Sequence, residues 1–296
     1  TRLELLVSIP SELRRITVPV TAEALTHEIR TFRRLIEKRT THEYLPHAQQ
    51  LYQWLIRPLE PALQGVRITT LVFVPDSALR TIPMAALHDG QAFLIEHYAV
   101  ASIPGLALSD PHPLDRRQVR VLTTGLTASV QGFPALPYVR DELDAIQALY
   151  GGQRLENQDF KIPLLEDELR TERYGMLHIA THGQFSAESG QSFLLTFDGR
   201  LTMPQLDRLI GRLRFRRDPL ELLTLSACQS GAGDDRAALG LAGVAIQAGA
   251  RSALASLWFI NDAASTTLIS EFYRHLREPS VSKAAALQRA QQQLLS

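Results

Sequence analysis

Short apolar runs alternate with stretches of helical periodicity along this chain, and the two periods divide it into elements. Leu3 to Ile9 and Glu12 to Val20 read as strands, the second with Ile16, Val18 and Val20 alternating in period two. After Thr21, the apolar residues Leu25, Ile29, Phe32 and Ile36 recur at helical spacing, and a second helical stretch from about His47 to Ile56 stops at Pro58. Thr69 to Val74 is a continuous apolar strand closed by Pro75-Asp76-Ser77, and His88-Asp89-Gly90 predicts a turn into a strand from Ala92 to Ser102. This first region reads as mixed α+β.

The segment Asp110-Pro111-His112-Pro113-Leu114-Asp115-Arg116-Arg117 carries two prolines, charges and no periodicity, so an interdomain boundary is placed near residue 115. Beyond it strand and helix alternate, which predicts an α/β domain over 116–296 with a largely parallel sheet covered on both faces. Val119 to Thr124, Met176 to Thr181, Leu220 to Leu225 and Ser252 to Phe259 are its strands. Val139, Leu143, Ile146 and Tyr150 form one helical stripe, ended by Gly151-Gly152. Thr202 with Gln205 three residues on is a capping-box pattern, stapled by Leu201 and Leu206, ahead of the stripe Leu206, Leu209, Ile210 and Leu213. A small-residue helix is expected from Leu239 to Ala248, one helix carries Leu268, Ile269, Phe272 and Leu276, and the last runs from about Ser282 to Leu295.

Composition narrows the function classes. Formal charge is +0 and the basic residues are scattered, so there is no electrostatic footprint for nucleic acid or an anionic membrane. No apolar stretch reaches the roughly 20 residues that span a bilayer, and the threonine-led start is no secretory signal, so a cytoplasmic address is expected. The single cysteine excludes an intrachain disulfide and is safest in a reducing compartment. The chain opens on Thr1 rather than Met, which fits a piece of a longer protein.

That cysteine, Cys228, follows one apolar run, and His182-Gly183 follows another 46 residues earlier. Functional groups in parallel α/β sheets gather beyond the carboxyl ends of strands. A thiol there, with an imidazole on the neighbouring strand raising its thiolate fraction, reads as a nucleophile and its partner. Gly183 and Gly231 permit tight turns, and the amides of Gly183 and Cys228 are candidates for binding a developing oxyanion. Against this stands the ordinary role of a free cysteine as a small buried hydrophobe. His178 tempts a metal reading with His182, but four residues on a strand separate them by about 13 Å, and no further ligand cluster completes a site. A structural role, or one supporting the site from behind, fits it better. Gly240 and Gly243 lack the spacing of a nucleotide loop, and Arg212, Arg214, Arg216 and Arg217 read as a solvated surface.

His178-Ile179-Ala180-Thr181-His182-Gly183, Leu225-Ser226-Ala227-Cys228-Gln229-Ser230-Gly231 and Leu257-Trp258-Phe259-Ile260-Asn261-Asp262 together resemble the CHAT domain, a caspase-like cysteine peptidase module related to separases. The resemblance extends to Val72-Phe73-Val74-Pro75-Asp76, to Ile82-Pro83-Met84-Ala85-Ala86-Leu87 and to the final helix around Leu287 to Gln291. One departure is Ser77, where the Pro-Asp turn of such modules often continues with Gly. The resemblance implies a caspase-type, mostly parallel sheet between helices, and a common setting C-terminal to a tetratricopeptide array. It also implies control by a sensor domain or partner, in bacterial defence or signalling.

Position by position, the resemblance makes Cys228 the nucleophile of an endopeptidase acting on a protein substrate. His182 protonates the leaving amine and later activates water, and Gly183 supplies an oxyanion amide. No third side chain is assigned, and no metal or organic cofactor is implied. Asp262 matches the acidic position after Leu-Trp that separase-like relatives place in the specificity pocket, so cleavage after a basic residue is expected, with Asp234 and Asp235 as further acidic contributors and Trp258 as core or pocket wall. Asp262 equally fits a helix cap. Two other readings stay open: a catalytically silent or latent interaction module, and an acyltransferase or esterase on the same thiolate, the latter weakened by the absence of a Gly-x-Ser-x-Gly elbow.

Overall fold

The computed structural model describes residues 2–9, 12–38, 40–105, 119–184, 192–214, 220–228, 249–258 and 262–296, with the backbone alone at 214, 227, 228 and 262. The chain divides into two compact units, Thr1–Pro104 and Gly105–Ser296. The linker expected at 110–117 and the helix expected at 239–248 lie outside the described residues.

In the first unit, β1 (Leu3–Ile9) and β2 (Glu12–Val18) form an antiparallel hairpin, Leu3 opposite Val18 and Ile9 opposite Glu12. Helix α1 (Ala22–Ile36) starts where Thr21 Oγ1 accepts the Ala24 amide at 3.2 Å, a cap worth about 1 kcal/mol. Its Ile29, Phe32 and Leu35 are buried, and the first two share a core with Ala48, Leu51, Tyr52 and Leu55 of α2 (Leu45–Leu55). The short α3 (Glu60–Leu63) leads to β3 (Thr70–Phe73), which pairs in parallel with β4 (Ala99–Ser102).

The expected strand from Ala92 to Ser102 is shorter than its composition predicts. Leu94–His97 is a helical turn, α4, because the Glu96 carboxylate accepts the Phe93 amide at 2.6 Å and Leu94 and Ile95 are both buried. The preceding Asp89 turn is as expected, its carboxylate accepting the amides of Gln91 at 2.6 Å and Ala92 at 2.8 Å. Ser77 adopts φ of +47°, the left-handed region in which glycine is unstrained.

The second unit runs β5 (Val121–Gly125), α5 (Tyr138–Tyr150), β6 (Gln153–Glu156), α6 (Ile162–Thr171), β7 (Met176–Gln184), β8 (Phe193–Leu195), β9 (Arg200–Thr202), α7 (Met203–Arg214), β10 (Leu222–Cys228), β11 (Ala253–Ala255), α8 (Asp262–Leu276) and α9 (Lys283–Leu295). Five strands lie in the order β11-β10-β7-β5-β6, each neighbouring pair parallel. Strand β8 adds antiparallel to the end of β7, and β9 adds antiparallel to β8, so the sheet is mixed and the class is α/β.

Both sheet faces are covered. Leu122, Leu177, Ile179, Leu223 and Leu225 join Leu165 and Leu169 of α6 and Leu206, Leu209, Ile210 and Leu213 of α7 in one core. Each such leucine, fully buried, contributes about 1.5–3 kcal/mol. Val121, Met176 and Leu222, on the other face, pack with Ile146 of α5, with Ile269, Phe272, Tyr273 and Leu276 of α8 and with Ala286 and Ala290 of α9. The Thr202–Gln205 box forms as the spacing predicts, the Gln205 Oε1 accepting the Thr202 amide at 2.8 Å and its hydroxyl at 2.9 Å. After α5, a β-carbon on Gly152 would stand 2.0 Å from the Val121 carbonyl oxygen, so the return into β6 demands glycine there. Among the described residues no helix is long and apolar enough to cross a membrane.

Candidate active site

Strand β7 lies between β10 and β5, and its register aligns three levels across the sheet. Thr224 and Thr123 stand opposite His178, Ser226 and Gly125 stand opposite Ala180, and Cys228 stands opposite His182. Both dyad candidates are therefore within paired strands rather than on loops past them, as the sequence reading had placed them. The cause is extra pairing: β7 continues to Gln184 because Gly183 and Gln184 pair with Leu194 and Phe193, and β10 continues to Cys228 along β7.

Strand β5 ends at Gly125, one level short of His182, and the chain that follows fills the space beside the imidazole. The Leu126 amide donates to the Ala180 carbonyl at 3.1 Å. Thr127 and Ala128 then give their amides to Asn157 Oδ1 at 2.9 and 3.0 Å, and the Asn157 amide group donates to Thr127 Oγ1 at 2.7 Å. Val130 and Phe133 exchange backbone hydrogen bonds of 3.2 and 2.9 Å around Gln131 and Gly132, whose φ angles of +51° and +83° are those of a tight hairpin turn. Gln131 holds this strained conformation with its side-chain amide, which donates to the carbonyls of Thr196 at 3.1 Å and Phe197 at 3.2 Å.

The turn delivers two groups to His182. The Phe133 ring lies 5.2 Å from the imidazole, tilted by 37°. The Pro134 carbonyl oxygen is 2.8 Å from Nε2. A carbonyl only accepts, so Nε2 carries the proton and Nδ1 of the neutral ring is left to exchange one. The imidazole is thus oriented by a backbone carbonyl, a group with no residue identity for a sequence motif to record.

The other expected residues fall in different places. Gly183 is buried opposite Leu194. Trp258 is half-buried just past β11, and Asp262 is the first residue of α8. Asp234 and Asp235 lie outside the described residues.

Behind the dyad, on the face covered by α5 and α8, is a polar cluster that sequence reasoning found only in part. His178 is fully buried and its Nε2 is 2.8 Å from Oε1 of Glu142, itself 1% exposed. Tyr273 donates its hydroxyl to Thr224 Oγ1 at 2.9 Å, and burial raises its pKa far above the usual phenol value. The partner of His178 is a glutamate 36 residues away in sequence on α5, a contact that the sequence does not announce.

The model of the CHAT domain family matches residues 45–296. No curated protein matches the chain.

Proposed function

Because the chain belongs to the CHAT domain family, we propose that it is a cysteine endopeptidase of caspase and separase type, with Cys228 as nucleophile and His182 as proton carrier. The observation that carries this reading is the β10–β7 register, which sets Cys228 opposite His182 at the carboxyl end of the sheet, with the imidazole held on the Pro134 carbonyl. The five parallel strands with helices on both faces support a caspase-type sheet.

The chemistry follows from the tautomer. Nδ1 of His182 takes the thiol proton of Cys228, the thiolate attacks the scissile carbonyl carbon, and the oxyanion that forms is received by the amides of Gly183 and Cys228. As the C–N bond breaks, Nδ1 of His182 gives its proton to the leaving amine and a thioester remains. Water then attacks the thioester carbon while Nδ1 takes its proton, and collapse releases the acid and the thiolate. Throughout, Nε2–H stays on Pro134, which fixes the ring plane and stabilises the imidazolium.

The substrate is a protein cut after a basic residue, with Asp262 as the acid of the pocket, Trp258 in its wall and Asp234 and Asp235 nearby. Control comes from a sensor domain or partner, tetratricopeptide repeats among the candidates, and a reducing, cytoplasmic setting suits the thiol. The test is incubation of the chain with Arg- and Lys-containing peptides and with an active-site-directed thiol alkylator. Turnover and labelling that both vanish in Cys228→Ala, and turnover that vanishes in Asp262→Arg, are the expected results. Labelling without turnover assigns a latent or interaction module, and the absence of both labelling and turnover overturns the reactive thiol.

A further inference from the structure

The sheet face under α5 and α8 is apolar at Val121, Met176 and Leu222, then turns polar toward the dyad. Glu142 and His178 are the ionisable side chains at its centre, 1% and 0% exposed. Glu142 Oε1 and His178 Nε2 are 2.8 Å apart, in ion-pair contact but out of line for a hydrogen bond, and neither atom has another hydrogen-bond partner among the described residues. Burying two such groups is costly, and an apolar pair of similar volume would commonly hold the fold as well or better. Packing alone does not explain them.

Their remaining contacts lead to the nucleophile's strand. The second carboxylate oxygen of Glu142 accepts the Ser226 hydroxyl at 3.2 Å and lies 3.5 Å from the Thr266 hydroxyl, which also reaches the Tyr138 carbonyl at 3.2 Å. Ser226 Oγ is 3.4 Å from Ser265 Oγ of α8. His178 Nδ1 is 3.4 Å from Tyr273 Oη, whose one proton goes to Thr224, so the ring donates there and the tyrosine oxygen accepts. Thr224 and Ser226 are both on β10, four and two residues before Cys228, and both are tied to this pair. At Gly125 the helix that carries Glu142 comes so close that a β-carbon would meet Val139 Cγ1 at 2.8 Å, which sets Glu142 within reach of the sheet.

We propose that the Glu142–His178 pair is a positioning device for the Cys228 end of β10, acting through the Ser226 and Thr224 hydroxyls to fix that end relative to His182. The proposal rests on the peptidase reading, because only a reactive thiol gains from such placement. Glu142 and His178 are positioning residues and touch no substrate. Among the described residues the titratable neighbour from α8 is Tyr273 and from α5 it is Glu142, while on β10 and β5 Thr224 and Thr123 stand opposite His178 in register and the Thr124 hydroxyl donates to the His178 carbonyl at 3.1 Å.

Cys228 is the only cysteine of the chain, so the mass gained from iodoacetamide reports this thiol alone and needs no known substrate. The rate of alkylation against pH is measured for the whole chain and for Ser226→Ala and Glu142→Gln. The wild type is expected to titrate below the free-thiol value of about 8.5. Ser226→Ala, which deletes a single hydroxyl, and Glu142→Gln, which keeps the shape, are expected to slow alkylation at neutral pH by about 10- to 100-fold and to move the midpoint toward the free thiol. Variants that melt earlier but keep the wild-type midpoint and rate would show a purely structural pair and overturn the proposal. A wild type that itself titrates as a free thiol would remove the dyad reading first, and the proposal with it. Should Glu142→Gln not fold, Ser226→Ala alone decides.

Discussion

Gln131 offers a sharp test of how the histidine is held, because its side chain and its backbone make opposite demands. The backbone sits at φ +51°, where any residue with a β-carbon is strained, and the side-chain amide compensates through the Thr196 and Phe197 carbonyls at 3.1 and 3.2 Å. Gln131→Ala removes both hydrogen bonds and keeps the strain, so it should cost about 1–3 kcal/mol at roughly 0.5–1.5 kcal/mol per bond. Gln131→Gly loses the same bonds but relieves about 1–2 kcal/mol of left-handed strain, less roughly 0.5–1 kcal/mol for the freedom glycine has in the unfolded chain. Glycine should therefore be the milder substitution by about 0.5–1 kcal/mol, the reverse of the usual order of alanine and glycine. Urea unfolding at constant m is the assay, with midpoints expected in the order wild type, glycine, alanine. An alanine variant as stable as the glycine variant would show that the turn is not strained in solution. Two variants indistinguishable from wild type would show that the side chain does not hold the turn. The same turn carries Pro134, so thiol alkylation in Gln131→Ala should fall along with stability.

Two further predictions concern the first unit. Burial works to raise the pKa of Asp89, but amide hydrogen bonds from Ala92 and Gln91 and the His97 ring at 3.3 Å outweigh it, and its carboxyl lies below the ordinary 3.8. A depressed folded pKa means stabilisation that is present above 3.8 and is lost as pH falls through the lower folded value. Hydrogen exchange at the Gln91 and Ala92 amides should accordingly lose protection in acid in the wild type and change much less with pH in Asp89→Asn; parallel pH profiles would contradict the assignment. Ser77→Gly should raise the thermal midpoint slightly, since relief of about 1–2 kcal/mol of strain at φ +47° is partly offset by roughly 0.5–1 kcal/mol for the freedom of glycine in the unfolded chain; a lowered midpoint would mean that the Ser77 side chain contributes more than its strain removes.

The elements legible in the sequence were those whose pattern runs long enough to show a period. The stripe of α1, the capped helix from Met203 to Arg214 and the apolar runs of β5, β7 and β10 each exceed a turn or a pleat pair and stand out. The elements missed were short or shared their signal with a neighbour. β6 is Gln153-Arg154-Leu155-Glu156 with Leu155 as its buried residue, and β8 and β9 are three residues each, held by pairing with β7 rather than by composition. Helix α6 buries only Leu165 and Leu169, a pair too brief to announce a helix behind Pro163. Leu94–His97 became a turn through a carboxylate accepting one amide, a local bond that hydrophobic pattern does not encode.

What the sequence determined by itself was the α/β class of the second half, the family and the identity of the two residues proposed as the dyad, because apolar period and side-chain identity are properties of the chain read in order. Only the tertiary structure decided what surrounds them. The carbonyl of Pro134 meets His182 because a strained turn is clamped from Asn157 and Gln131, and Glu142 meets His178 because α5 packs over Gly125. These hydrogen bonds and ion pairs join groups 30 to 66 residues apart, several of them through an anonymous backbone atom. Such contacts leave no periodic trace, since the free energy that selects them belongs to the closed sheet and its helices and to no single segment of it.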